Sequence, residues 1–89
     1  MAIEFDPFKE ATNVAKHGIS LARASDFDML AVEADTRFDY GEDRYRAWGL
    51  IDGEHYCLVF TTRGASVRPI SLRRAHDKEI RRHVQNSAL

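Results

Sequence analysis

The sequence predicts an α+β fold: a small, mostly antiparallel sheet of about 4–5 strands, two N-terminal helices and one C-terminal helix. Three observations predict it. The apolar pattern is helical from residue 7 to about residue 27 and alternates from about residue 30 to residue 72. Asp52-Gly53 is a two-residue hairpin signal between two alternating runs, which makes those runs antiparallel neighbours. A last amphipathic stretch begins near Ala75. Helices first and hairpin-linked strands after them is an α+β order.

Ile3-Glu4-Phe5 alternates and reads as a short first strand. Asp6-Pro7 signals a helix start, because the Asp6 carboxylate takes free amide donors and Pro7 suits the first helical position. This helix runs to about His17, with Phe8, Ala11, Ala15 and Val14 as its apolar stripe. Gly18 stops it by tolerating a left-handed backbone. Ser20 caps a shorter helix over residues 21–27. Residues 30–34 form a strand and residues 35–43 a polar loop, whose Asp39-to-Asp43 cluster reads as solvated. Residues 44–51 alternate, with Tyr45, Ala47, Gly49 and Ile51 opposite Arg44, Arg46, Trp48 and Leu50. Residues 55–62 are apolar, aromatic and β-branched. Arg63-Gly64 marks a turn, and residues 66–72 are the last strand, where Pro69 predicts an irregularity or a free edge. The closing helix spans residues 75–86, with Ile80, Val84 and His76 toward the core. The order is β-α-α-β-β-β-β-α.

Eighty-nine residues predict one domain, residues 1–89. A chain this small buries only about 60% of the surface its unfolded form exposes, so a partner has much stability to add. A single cysteine, Cys57 in an apolar run, fits a buried structural thiol and a reducing compartment. Without a signal peptide pattern or an apolar run near ~20 residues, a soluble cytoplasmic protein is expected.

Charge is unevenly placed. From Arg63 onward seven Lys and Arg face two carboxylates, whereas residues 1–62 hold six basic and twelve acidic side chains. The basic end is a candidate polyanion surface centred on Ile70-Ser71-Leu72-Arg73-Arg74-Ala75.

Five blocks carry a family resemblance over nearly the whole length. They are Phe5-Asp6-Pro7 with Asn13; Lys16-His17-Gly18-Ile19-Ser20; Tyr40-Gly41-Glu42-Asp43-Arg44-Tyr45; Thr61-Thr62-Arg63-Gly64; and Arg68-Pro69-Ile70-Ser71-Leu72-Arg73-Arg74-Ala75, followed by Glu79 and Arg81-Arg82. In order and spacing the chain resembles the BrnT toxins of bacterial type II toxin–antitoxin pairs. The resemblance implies a RelE-like fold, a metal-independent RNA endonuclease that arrests translation, and an adjacent DNA-binding antitoxin that occludes it. Two positions depart from the family pattern. His83 stands where a tyrosine is frequent, and Leu72 where an alanine is usual.

Cutting RNA without a metal needs a group that activates the ribose 2′-hydroxyl, a cation for the charge growing on phosphate, and a proton donor for the leaving oxygen. Arginine suits the second task because its planar fork matches two phosphate oxygens. Arg73 and Arg74 are expected on opposite strand faces, Arg73 sharing a face with Ser71. Glu79 and His83, four residues apart on a helix, are expected to hydrogen-bond across one turn. Arg73, Arg74, Glu79, His83 and Glu42 are therefore the catalytic candidates, the last three for proton transfer or for orienting arginines. Arg44, Arg63, Arg68, Lys16, His17 and Tyr45 are the RNA-binding candidates. The competing reading of the arginines is solvation of the sheet or pairing with Glu42, Asp43 and Glu79. Trp48 is expected in the core.

The four histidines lack tight ligand spacing and there is no cysteine pair, so no metal and no cofactor are expected. The expected partners are a cognate antitoxin and RNA, with ribosome-associated mRNA one form of it. A second class of function is a non-catalytic module whose basic end docks an acidic protein or nucleic acid.

Overall fold

Local signals at Asp6, Pro7 and Gly18 set the first helix in the computed structural model, which describes residues 2–85. Strand β1 is Ala2–Ile3, shorter than expected, and helix α1 is Pro7–His17. Asp6 Oδ1 accepts the Phe8 amide at 2.7 Å. Gly18, at φ 69°, closes the helix by donating its N–H to the Val14 carbonyl. The second helix is a 3₁₀ helix, Leu21–Asp26, capped by Ser20. It is tied to α1 by Glu10, which accepts the Ser20 hydroxyl at 2.5 Å and the Leu21 amide at 2.9 Å. Six residues between that anchor and Phe27 suit a tight short helix rather than an α-helix.

Four antiparallel strands follow: β2 Asp28–Ala34, β3 Tyr45–Ile51, β4 Glu54–Arg63 and β5 Ser66–Arg74. The sheet order is β1-β5-β4-β3-β2, with β1 parallel to β5. Asp52 (φ 51°) and Gly53 (φ 78°) make the β3–β4 turn, both left-handed as a tight two-residue hairpin requires. The expected α+β class and the antiparallel strands are present. Pro69 marks an irregularity, and it lies just past the part of β5 that β1 pairs. The β4–β5 register shifts between Val59 and Phe60, next to Pro69, while β1 lies on the outer side of β5.

Strand β1 covers β5 only as far as Val67, whose carbonyl accepts the Glu4 amide at 3.1 Å. Beyond it, α1 takes over through one side chain. Asn13 Oδ1 accepts the Leu72 amide, and Asn13 Nδ2 donates to the carbonyls of Leu72 and Ile19, all at 2.9 Å. The primary amide supplies to β5 the donor and acceptor that a further strand would have supplied. This overturns the expected apolar stripe. Asn13 is the buried residue of α1, whereas Phe8 is 83% exposed and Ala11, Val14 and Ala15 face solvent.

One face of the sheet packs Ala47, Ile51, Leu58, Phe60 and Leu72 against Leu21 and Ala24 of the 3₁₀ helix. On the other face Trp48 and Cys57 lie under Ile80. The closing helix differs from expectation. Helix α2 is one turn, Asp77–Ile80, and continues as a wider π-helical turn over Arg81–Gln85. Asn86, the expected end, lies outside the described residues. His76 is an exposed N-cap rather than a core residue. Among the described residues no helix is long and apolar enough to cross a membrane.

Candidate active site

Strand alternation sends Arg46 and Trp48 of β3, Cys57 and Val59 of β4, and Ser71 and Arg73 of β5 to one face; the registers pair Trp48 with Cys57, Cys57 with Arg73, Arg46 with Val59 and Val59 with Ser71. The α2 end covers the Trp48–Cys57 part of this face. The rest is a cleft of about 430 Å³. Its walls come from three sources. The end of α1 brings Lys16 and His17, the strands bring Arg46, Ser71 and Arg73, and the 35–44 loop brings Asp35, Arg37, Tyr40 and Arg44. Five Lys and Arg side chains thus line a cleft that holds one carboxylate, Asp35.

The arginines of the walls are held by partners. Arg73 meets Glu79 through two parallel bonds, Nη1 to Oε1 at 2.7 Å and Nη2 to Oε2 at 3.1 Å. Glu79 also accepts from Trp48 Nε1 at 3.2 Å and from the His76 amide at 2.9 Å. Burial pushes the Glu79 carboxyl up, but the bonds from Arg73, His76 and Trp48 outweigh it and hold it at about 2. The bond to Glu79 also raises Arg73 above the usual arginine range. Arg46 donates to Glu33 at 2.8 Å and lies 5.4 Å from the centre of the Trp48 ring. Its Nε is buried with no partner among the described residues, and so is Nε of Arg68. Burial raises the Cys57 thiol to about 11, which marks an inert core thiol.

The 35–44 loop is anchored at Asp35, while Asp39, Gly41, Glu42 and Asp43 are exposed as expected. Asp35 is only 6% exposed. It accepts Nε and Nη2 of Arg37 at 2.8 Å each and the Tyr40 hydroxyl at 3.0 Å. The Arg37 bonds hold the Asp35 carboxyl far below the usual range despite its burial. The Arg44 guanidinium lies 4.2 Å from the Tyr40 ring centre.

Of the expected site residues, Arg73, Arg44, Lys16 and His17 come together in the cleft. The others lie elsewhere. Arg74 points to the opposite face, pairing with Glu54 and lying over the Tyr56 ring. Tyr45 stacks on Phe60 on the core side, 5.4 Å between centroids, because it alternates away from Arg46. Glu42 binds Arg44 Nε at 3.1 Å and lines an adjoining hollow that shares Asp35, Tyr40 and Arg44 with the cleft. Arg63 is exposed at the end of β4, and Arg68 is opposite Thr61 outside the cleft. The expected bond between Glu79 and His83 is replaced. Glu79 turns to Arg73, while His83 stacks on Trp48 at 3.8 Å and 5° and lies 3.3 Å from Glu33. Glu79 lines a neighbouring hollow with His76, Lys78 and Arg82, joined to the cleft through Arg73.

Arg37, Arg46 and Asp35 were not singled out from the sequence. Arg46 was legible in part, two residues before Trp48 on the same strand face. Arg37 and Asp35 gave no signal because their pairing arises inside an irregular loop. Among the described residues, no group of three or more His, Cys, Asp or Glu is placed to hold a metal ion.

This geometry defines a class: a small α+β protein with a cationic cleft on the open part of a sheet face, chemically suited to a phosphodiester chain. Comparison with known families goes further. The chain belongs to the BrnT family, described as "Ribonuclease toxin, BrnT, of type II toxin-antitoxin system", which matches residues 5–79. Family membership carries ribonuclease activity, an RNA target and an antitoxin partner. No curated protein matches the chain.

Proposed function

We propose that residues 1–89 act as one cytoplasmic toxin domain of RelE-like type that cuts RNA without a metal ion, arrests translation and is neutralised by a DNA-binding antitoxin. The observation that carries this reading is the cleft, with Lys16, Arg37, Arg44, Arg46 and Arg73 against a single carboxylate that Arg37 already engages. Asp35, Glu42, Glu33 and Glu79 pair with the four arginines and fix their forks, and the guanidinium and ammonium donors suit phosphodiester oxygens.

In the proposed reaction the ribose 2′-oxygen bonds to phosphorus and the bond from phosphorus to the 5′-oxygen breaks. A 2′,3′-cyclic phosphate and a free 5′-hydroxyl result. Arg73, with Lys16 and Arg46, neutralises the phosphate oxygens. Glu79 orients Arg73, since its oxygens are occupied by Arg73, Trp48 and His76. His17 is the imidazole that lines the cleft and is assigned both transfers: it takes the 2′-hydroxyl proton and delivers a proton to the leaving 5′-oxygen. His83 supports the underside of Trp48 and the Glu33–Arg46 pair.

Purified protein is expected to cut single-stranded RNA in excess EDTA and leave cyclic-phosphate ends. Cutting that requires added metal overturns the mechanism. A second reading, a non-catalytic RNA-binding module, is favoured by one observation: neither Glu79 nor Glu42 presents a carboxylate to the cleft. RNA binding without turnover by the wild-type protein would select it.

A further inference from the structure

We infer that Arg37 and Arg44 form a second phosphate subsite in the cleft, set apart from the one at Arg73, and that buried Asp35 positions it. The inference rests on RNA being the ligand and names where the strand's neighbouring phosphate is held. Three observations carry it. Asp35 engages Arg37 side-on through Nε and Nη2, so the fork is fixed by a carboxylate whose side chain is fully buried. Nη1 is on the other edge of the guanidinium, which remains half exposed in the wall of the cleft. Tyr40 then links the two arginines, since its hydroxyl bonds Asp35 while its ring carries the Arg44 guanidinium at 4.2 Å.

A surface ion pair needs no such arrangement. A carboxylate placed at full burial behind an exposed arginine spends its charge on orientation, and a preorganised fork loses less freedom on meeting a phosphate. The strand would run from the Arg37–Arg44 rim across Ser71 to Arg73. Asp35 acts through Arg37 and Tyr40 and is a positioning residue, not a catalytic one.

The test uses the full chain and a single-stranded 2′-O-methyl oligoribonucleotide, which binds but has no free 2′-hydroxyl to react. Affinity is measured over a salt series. Arg37→Gln should make the slope of log affinity against log salt shallower by about 0.7, the loss of one neutralised phosphate on a single strand. Asp35→Asn keeps the Arg37 charge and removes only its anchor, so it should lower affinity at fixed salt in the wild-type background, and the double variant should bind no more weakly than Arg37→Gln alone. Arg23→Gln, remote and paired with Asp26 and Asp52, should leave the slope unchanged. Arg37→Gln keeps a side-chain donor for Asp35, so it carries the test even where Asp35→Asn does not fold. A wild-type slope in Arg37→Gln, or additive losses in the double variant, overturns the subsite. Cleavage of unmodified RNA in EDTA is read separately, so the subsite can fail while the nuclease stands. Absence of RNA binding by the wild type overturns both.

Discussion

Glu79 accepts from Arg73, Trp48 and the His76 amide, and these bonds hold its carboxyl at about 2 against an ordinary 4.5. A carboxyl depressed by folding stabilises the protein above its unfolded pKa, and that stabilisation is lost as pH falls toward the folded value. Acid destabilisation between about 4.5 and 2 should therefore depend on Glu79. Asp35, also depressed, adds to the loss in the same direction. Trp48 is the only tryptophan and touches Glu79, so its fluorescence reports the event directly. Glu79→Gln is expected to be less stable at neutral pH and to show a flatter acid limb. An unchanged acid limb would contradict this account. Asn13 gives a second residue-level expectation. Asn13→Ala leaves the buried Leu72 amide and carbonyl without their partner, at a cost of roughly 1–3 kcal/mol for each buried group left unsatisfied. Denaturant melts should show a lower midpoint. An unchanged midpoint would mean that another group pairs with Leu72.

At the scale of elements, caps and turns were readable and docking was not. Asp6, Gly18, Ser20 and Asp52-Gly53 act within a few residues of themselves, so each is visible in a short window of sequence. The orientation of α1 was misread because apolar residues normally mark the packed face, whereas here Asn13 docks the helix by hydrogen bonds across 59 positions. The closing helix starts at Asp77, two residues later than expected, and its backbone widens at Arg81 although Ile80 and Val84 keep helical spacing. Gly49 shows how closely the sheet is packed. A Cβ added there would lie 2.2 Å from the Asp28 carbonyl oxygen and 2.8 Å from the Phe27 ring, both fixed by the start of β2. Gly49→Ala should therefore loosen β2, seen as faster amide exchange over Asp28–Ala34 than in the unsubstituted protein, with β4 little changed. Unchanged protection over β2 would show that it accommodates the methyl group.

Over the whole molecule, the charge map of the folded protein departs from that of the chain. Sequence position placed the basic surface in the last third, yet only Arg73 of the five Lys and Arg in the cleft comes from there. Lys16, Arg37, Arg44 and Arg46 belong to the acidic part, and the end of α1, the 35–44 loop and the sheet register bring them to Arg73. Alternation did separate Arg73 from Arg74 correctly, because that needs only the period of a strand. The two should separate again in function. Arg73→Ala is expected to lower RNA cleavage by about a hundredfold or more, as for loss of a donor to the transition state. Arg74→Ala, on the opposite face beside Glu54, should cost far less. Cleavage rates on one RNA substrate measure both, and equal losses would place the reaction outside the cleft.

The Asn13 clasp also bears on positional accuracy. Apolar contacts resist separation but let a helix slide and roll. Three hydrogen bonds of 2.9 Å to main-chain atoms fix distance and direction together. Lys16 and His17 stand one turn further along the same helix. Their reach toward Ser71 is therefore gauged from the backbone of the very strand that carries Arg73, so the two walls of the cleft share a single reference frame.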